Sequence, residues 1–268
     1  MKALRSLLAA VLATAALSAS ATDKTDLWWN PSESGWGMTI ANQGDTIFVA
    51  MYVYGSDNQP MWFVGTASLQ STDSQGVNTY VGDWYRVTGP YYGAATFDPS
   101  AVGAVKVGTY TYRELTVTTG QIVYTVNGTS VTKNVQRQTL QVNPRLNGNY
   151  SGAYFSTTSG CTNQAQNGNA SSFINASISG TPSATQVSIL FGSTGTLCTL
   201  SGPYTQAGRM GALTGTWSCS TSFSGTASFV EIEAGTNALS ARFNTHYNTI
   251  GCTEIGYLGI ARIPPPPQ

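Results

Sequence analysis

Charge is scarce in this chain of 268 residues. Lysine and arginine total 12, aspartate and glutamate total 12, and together they are 9% of the sequence. Neither sign is clustered. A nucleic-acid face needs a basic patch to neutralise phosphates, and an anionic membrane surface attracts polybasic stretches. The low, scattered charge argues against both partners. Histidine is scarcer still: His246 stands alone. It alternates onto the face of Arg242 and Asn244, opposite Phe243, which reads as a rim residue. No C-x-x-C pair accompanies it, so a zinc site has no support. No G-x-S-x-G elbow is present for a Ser-His-acid triad, and the EF-hand spacing is missing. No metal and no cofactor is expected.

Long apolar runs are also missing. The longest, Leu7 to Leu17, is about 11 residues, short of the ~20 a transmembrane helix needs. With Lys2 and Arg5 before it and Ala19-Ser20-Ala21 after it, it reads as a secretory signal peptide over residues 1–21, cleaved near Ala21. The protein is therefore expected to be exported, to the periplasm or beyond. Cysteine is absent from the first half. Cys161, Cys198, Cys219 and Cys252 all lie in the second. An even count in an exported chain suggests two disulfides, with three possible connectivities. The preferred pairs are Cys198–Cys219, which flank one return of the chain, and Cys161–Cys252, which join the opening and closing segments of that half. Each staple would contribute roughly 3–4 kcal/mol.

Helical periodicity is nearly absent after the leader, and period-two alternation with turn signals replaces it. Thr46 to Tyr54 is the strongest strand. Ile47, Val49, Met51 and Val53 share one face, and Phe48, Ala50, Tyr52 and Tyr54 the other. Strands are expected at 61–69, 78–87, 105–118, 121–127 and 129–140. The second half offers 149–156, 171–180, 185–191, 196–200, 211–218, 225–233, 237–243 and 254–262. Asn127-Gly128 is a type I′ hairpin turn.

The halves echo one another. Ser34-Gly35-Trp36-Gly37 matches Ser151-Gly152-Ala153-Tyr154, Thr88-Gly89-Pro90-Tyr91 matches Ser201-Gly202-Pro203-Tyr204, and Gly108-Thr109-Tyr110 matches Gly215-Thr216-Trp217. The expectation is an all-β protein of two related antiparallel modules, each a meander barrel or a sandwich. The modules run 22–143 (aromatic-rich) and 144–262 (disulfide-stapled). A Pro-rich tail at 263–268 follows.

Aromatic residues are what the chain has in excess. Five of its 6 tryptophans (28, 29, 36, 62 and 84) fall in the first third. Trp28, Trp29, Tyr52, Tyr54, Trp62 and Trp84 are the candidate ligand-binding residues, with Trp36, Tyr91 and Tyr92 nearby. Flat rings with polar tips suit sugar stacking or closure over an apolar ligand. They suit an aromatic core equally well. Trp28 and Trp29 are adjacent, so on a strand they point to opposite faces.

The run Trp28/Trp29, Pro31, Ser34-Gly35-Trp36-Gly37, Gln43-Gly44-Asp45, Phe48 to Tyr54 and Pro60-Met61-Trp62 resembles a recurring exported β module of Proteobacteria. Tyr85-Arg86-Val87-Thr88-Gly89-Pro90, Tyr124 to Gly128 and Arg137 extend the resemblance over about residues 27–140. The chain departs from that pattern at Asn42, where the module often has His, and at Gly55, where it often has Asp. The resemblance implies an exported β module and supplies no catalytic residue. The second half is similar, loosely, to lipocalin- or avidin-type barrels.

Three functions follow. The first is a secreted or periplasmic, non-catalytic binding protein whose first-module aromatics meet a carbohydrate, a small apolar ligand or an envelope protein. The second is an exported glycan hydrolase using Glu33 and Asp45, the best carboxylate pair beside the tryptophans. Glu231 and Glu233, two apart on one strand, read as a solvated stripe. The third is a structural envelope protein with no ligand.

Overall fold

A computed structural model describes residues 22–142 and 144–264. Residues 1–21, where a signal peptide is expected, Asn143 and the last four residues of the chain lie outside the described residues. Among the described residues no helix is long and apolar enough to cross a membrane.

The first barrel comprises β1 (Asp26–Trp29), β2 (Gly37–Gln43), β3 (Thr46–Tyr54), β4 (Pro60–Thr72), β5 (Asn78–Thr88), β6 (Gly103–Glu114), β7 (Thr119–Val126) and β8 (Thr129–Arg137). Each strand pairs with the next, and β1 pairs with β8 to close the ring. This is a meander barrel, not a sandwich. The alternation that marked β3 sets its faces: Ile47, Val49 and Met51 are buried, while Phe48, Tyr52 and Tyr54 are exposed. The interior is filled mainly by large side chains, among them Trp28, Phe63, Tyr80, Trp84, Tyr110 and Tyr112.

The second barrel comprises β9 (Gly148–Ser159), β10 (Gly168–Thr181), β11 (Ala184–Phe191), β12 (Leu197–Gly202), β13 (Tyr204–Ala207), β14 (Met210–Cys219), β15 (Ser224–Ala234), β16 (Ala238–Tyr247) and β17 (Cys252–Arg262). It too closes into a ring, through β9–β17 and β12–β14. The short β13 attaches only to β14 as an outlying strand. Its core is aliphatic over most of its length, with Ile174, Ile178, Val187, Ile189, Leu200 and Leu213 among its members. The voids inside it are about 20 Å³ each, room for a water at most.

Both disulfides sit where the second barrel closes. Cys198 and Cys219 face each other across β12–β14, and the bond spans 21 residues. Cys161 lies just past the end of β9 and bonds to Cys252 at the start of β17, a span of 91 residues.

Sequence expectation and structure differ at three strands. β1 and β2 were hidden because the residues between them, 30–36, carry turn signals of their own. β13 was hidden by Pro203, which separates it from β12.

The barrels meet through the base of the first. Asp26 Oδ2 accepts from Arg137 Nη1 (3.0 Å) and from the backbone N of Arg209 (2.9 Å) on the β13–β14 turn. That turn places Gly208 at φ 59°, and a Cβ there would collide with the Asp26 carboxylate. Glycine is required for both reasons. Arg209 also bridges Asp23 (3.2 Å) and Glu233 (2.7 Å). The Thr22 hydroxyl donates to Glu231 Oε1 at 2.8 Å. Lys24, fully buried, enters the base of the first barrel and pairs with Glu114 at 3.1 Å.

Candidate ligand-binding surface

The six aromatic candidates divide between the inside and the outside of the first barrel. Trp28 and Trp84 are 1% and 0% exposed. Trp28 points inward, donates from Nε1 to Lys24 O at 3.0 Å, and lies under the Arg137 guanidinium at 4.8 Å. Trp84 stacks on Tyr110 with centroids 4.0 Å apart. The expectation that these two meet a ligand is corrected: both are core, held there by strand alternation. Trp29, the neighbour of Trp28, takes the opposite face and is half-buried.

Tyr52, Tyr54 and Trp62 are outside and open, at 54%, 59% and 51% exposure. Register assembles them. Trp29 pairs Gly37, Gly37 pairs Tyr52, and Tyr52 pairs Trp62. Four adjacent strands therefore present Trp29, a gap, Tyr52 and Trp62 in one row across the outer wall. Cross-strand partners lie ~5 Å apart at the backbone, so Tyr52 and Trp62 are neighbours on the wall, while Trp29 is set off from them by the Gly37 gap. At the gap, a Cβ on Gly37 would come within 3.0 Å of Trp28 O, so the strand keeps glycine there. Tyr54 follows on the same face of β3 and covers Gly35, 3.8 Å from where a Cβ would sit. The β5–β6 connection leaves from the same end of the barrel and exposes Tyr91, Tyr92 and Phe97. Phe48 lies on the same face toward the other end of β3.

An ion pair borders this end. Glu33 accepts from Trp36 Nε1 (2.9 Å) and Lys133 Nζ (2.6 Å), and the Lys133 ammonium lies 5.7 Å from the Trp36 ring centroid. The bond from Lys133, then that from Trp36, holds the Glu33 carboxyl below its ordinary pKa. It stays ionised and is a poor proton donor.

The hydrolase expectation fails on position. Glu33 precedes the start of β2 and Asp45 follows its end, so the strand separates them. Seven residues at about 3.3 Å each hold the two roughly 20 Å apart. Glycosidase carboxyls stand within about 5–9.5 Å. The first interior is filled mainly by large aromatic side chains, and the two voids inside the second are about 20 Å³ each, so neither offers room for a small apolar ligand. His246 is exposed on β16, with Nδ1 3.4 Å from the Thr253 hydroxyl. Among the described residues no group of three His, Cys, Asp or Glu could hold a metal ion.

No family model matches the chain, and no curated protein matches it. Solved structures give weak similarity. A mutant of transferrin binding protein B, a vaccine antigen from Haemophilus parasuis, aligns at TM-score 0.32 and 8% identity, covering 88% of this chain and 68% of that one. A double mutant of the same protein gives 0.32 and 9%, covering 88% and 67%. A protein of unknown function in the DUF3598 family, from Nostoc punctiforme, gives 0.27 and 7%, covering 90% and 94%.

Proposed function

We propose that the protein is an exported, non-catalytic binding protein that holds carbohydrate on the outer wall of its first barrel. The observation that carries this reading is the Tyr52–Trp62 pair. Two large aromatic residues are register partners on adjacent strands, each about half open to water, on a wall that also exposes Tyr54, while Trp28 and Trp84 are buried inside the barrel. Leaving such area exposed forgoes the burial that stabilises the rest of the barrel, at ~25 cal/mol per Å². Contiguous exposed aromatic surface on a soluble domain marks a contact site. The shape is a flat wall rather than a pocket. It suits the face of a pyranose ring, whose C–H groups stack on an aromatic plane, better than a compact apolar molecule that needs enclosure. Export and the non-catalytic character rest on the leader pattern, the disulfides and the separation of Glu33 from Asp45.

The test is a titration of the mature protein with soluble neutral oligosaccharides, read by tryptophan fluorescence. A saturable shift is expected, lost in Trp62→Ala and weakened in Tyr52→Ala. An unchanged spectrum across a broad glycan panel would leave the wall as bare surface and sink the reading.

A further inference from the structure

The outer wall of the second barrel carries a trough of about 450 Å³, within the size range of small-molecule sites. Its floor is the row Ala153, Gly259, Ser240, side by side on β9, β17 and β16. One flank is the parallel row Phe155, Tyr257, Arg242, on the same three strands and two residues along. Phe155 and Tyr257 are 51% and 42% exposed. The Arg242 guanidinium lies 5.6 Å from the Tyr257 ring centroid and donates to Glu231 Oε1 at 2.8 Å. The other flank holds Glu233, and Asp23 of the N-terminal segment reaches in from the first barrel.

Two features of this trough are not demanded by the fold. The first is Gly259. Gly152 and Gly256, its neighbours on the same sheet, sit where a Cβ would strike the backbone of an adjacent strand, so they must be glycine. A Cβ on Gly259 would meet nothing within 4 Å. Glycine weakens a strand interior and here relieves no crowding. Its effect is to keep the floor low. The second is Glu231. It has φ 52° inside a bulge of β15, a conformation that costs a residue with a side chain. The bulge turns the Glu231 carboxylate back along the wall to Arg242 and to the Thr22 hydroxyl.

We infer that this trough is a second carbohydrate site, which takes one neutral sugar ring lying flat across Gly259. The lining chooses the ligand class. The lining arginine, Arg242, is engaged by Glu231, and the lining carboxylates Glu233 and Asp23 are engaged by Arg209 from outside the trough, so no uncompensated cation awaits a phosphate or carboxylate. The acids are engaged in turn, which disfavours a cationic guest. The paired groups keep directional capacity, however. The second oxygens of Glu231 and Glu233 carry no hydrogen bond among the described residues, and the Arg242 fork has further N–H groups. Planar carboxylate and guanidinium groups beside an exposed phenol ring match vicinal hydroxyls around an apolar ring face. The site is distinct from the Tyr52–Trp62 wall, and either can fail alone.

The experiment is calorimetry of the mature protein with neutral oligosaccharides such as cellohexaose and maltoheptaose, on the native chain and three variants. Gly259→Val raises the floor into open space and should fold normally. Tyr257→Ala removes the exposed ring from a strand whose inward face is untouched. Trp62→Ala removes the other wall. The expected result is two sites per chain. Gly259→Val abolishes one, Tyr257→Ala weakens that one at least tenfold, and Trp62→Ala removes only the other. Binding that survives Gly259→Val unchanged overturns the inference while leaving the first-barrel reading intact. Loss of all binding in Trp62→Ala alone does the same. Heat only with an arginine-rich peptide, and none with sugars, overturns it in favour of a peptide groove.

Discussion

The two barrels are both eight-membered rings, yet they lock their seams by different chemistry. A meander forms most of its pairs between neighbours in sequence; only a seam joins strands that are far apart. The second barrel has one such seam, β9–β17, and also closes through β12–β14, a pairing that skips only the short β13; a disulfide stands on each. The first has one, β1–β8, and no cysteine. Its seam has only two register pairs, Trp28 with Arg137 and Trp29 with Gln136. Arg137 does the work of the missing bond. Its side chain donates to Val117 O (2.7 Å), Asp23 O (2.6 Å) and Asp26 Oδ2 (3.0 Å) and lies against Trp28. The lesson is that a barrel needs a specific fastener where its ends meet, and that a buried guanidinium with converging acceptors substitutes for a covalent one.

That contrast can be broken from either side. Reduction should act on the second barrel alone. In the loop-closure account the bonds contribute about 3 kcal/mol for Cys198–Cys219 and about 4.5 kcal/mol for Cys161–Cys252. Trp217 is the sole tryptophan of that barrel. Calorimetry with and without reductant should show one transition collapse while the other stays; equal shifts of both would dissolve the comparison. Arg137→Ala should do the converse. It strands a buried carboxylate and several carbonyls, and a cost of about 3–5 kcal/mol is expected in the first barrel only, read by denaturant midpoint.

Alkali addresses what the barrels share. Burial pushes the Tyr204 phenol up to about 12 and raises Tyr110, Tyr112 and Tyr247 further, the last with help from the Glu254 carboxylate. A raised native pKa means the folded chain keeps protons that the unfolded chain loses. The stability involved is complete below the ordinary phenol value of 10.0 and declines as pH rises above it. Phenolate absorbance should therefore appear in two steps: exposed tyrosines first, then the buried set together with unfolding. Smooth titration of all the phenols without unfolding would contradict the burial. The smallest effect is expected at Trp62. Its replacement by Ala should change stability by less than about 0.5 kcal/mol, as for an exposed site, whereas Trp84→Ala should cost about 3–5 kcal/mol. Thermal melts of the two variants side by side decide it.

The strands with clean alternation were legible in advance: β3 follows from its residues one by one, and the β7–β8 hairpin from Asn127-Gly128. Closure was not, because which strand ends meet depends on twist and strand count rather than on any local pattern. The internal echo shows the same limit. Ser34 to Gly37 precedes the second strand of the first barrel, whereas Ser151 to Tyr154 lies in the first strand of the second. The Gly-Pro echo ends the fifth strand in one and the fourth in the other, and Gly108-Thr109-Tyr110 lies one ring position later than Gly215-Thr216-Trp217. The order is kept, but displaced by one strand throughout. For the candidate site, composition indicated aromatic excess, and only register could sort wall from core. The Gly259 trough left no mark in the sequence. A glycine required by crowding and one that leaves open space are spelled alike.

The β1–β8 seam has a consequence in time. A chain made or translocated from its N-terminus presents Trp28 and Trp29 early and Arg137 last, 111 residues after Asp26. Until then the growing ring has two free edges, each able to pair with a neighbouring copy. Contacts this distant in sequence form slowly, on the millisecond-to-second scale of β topologies. The N-terminal barrel is thus the first to emerge and cannot seal until its final strand has followed.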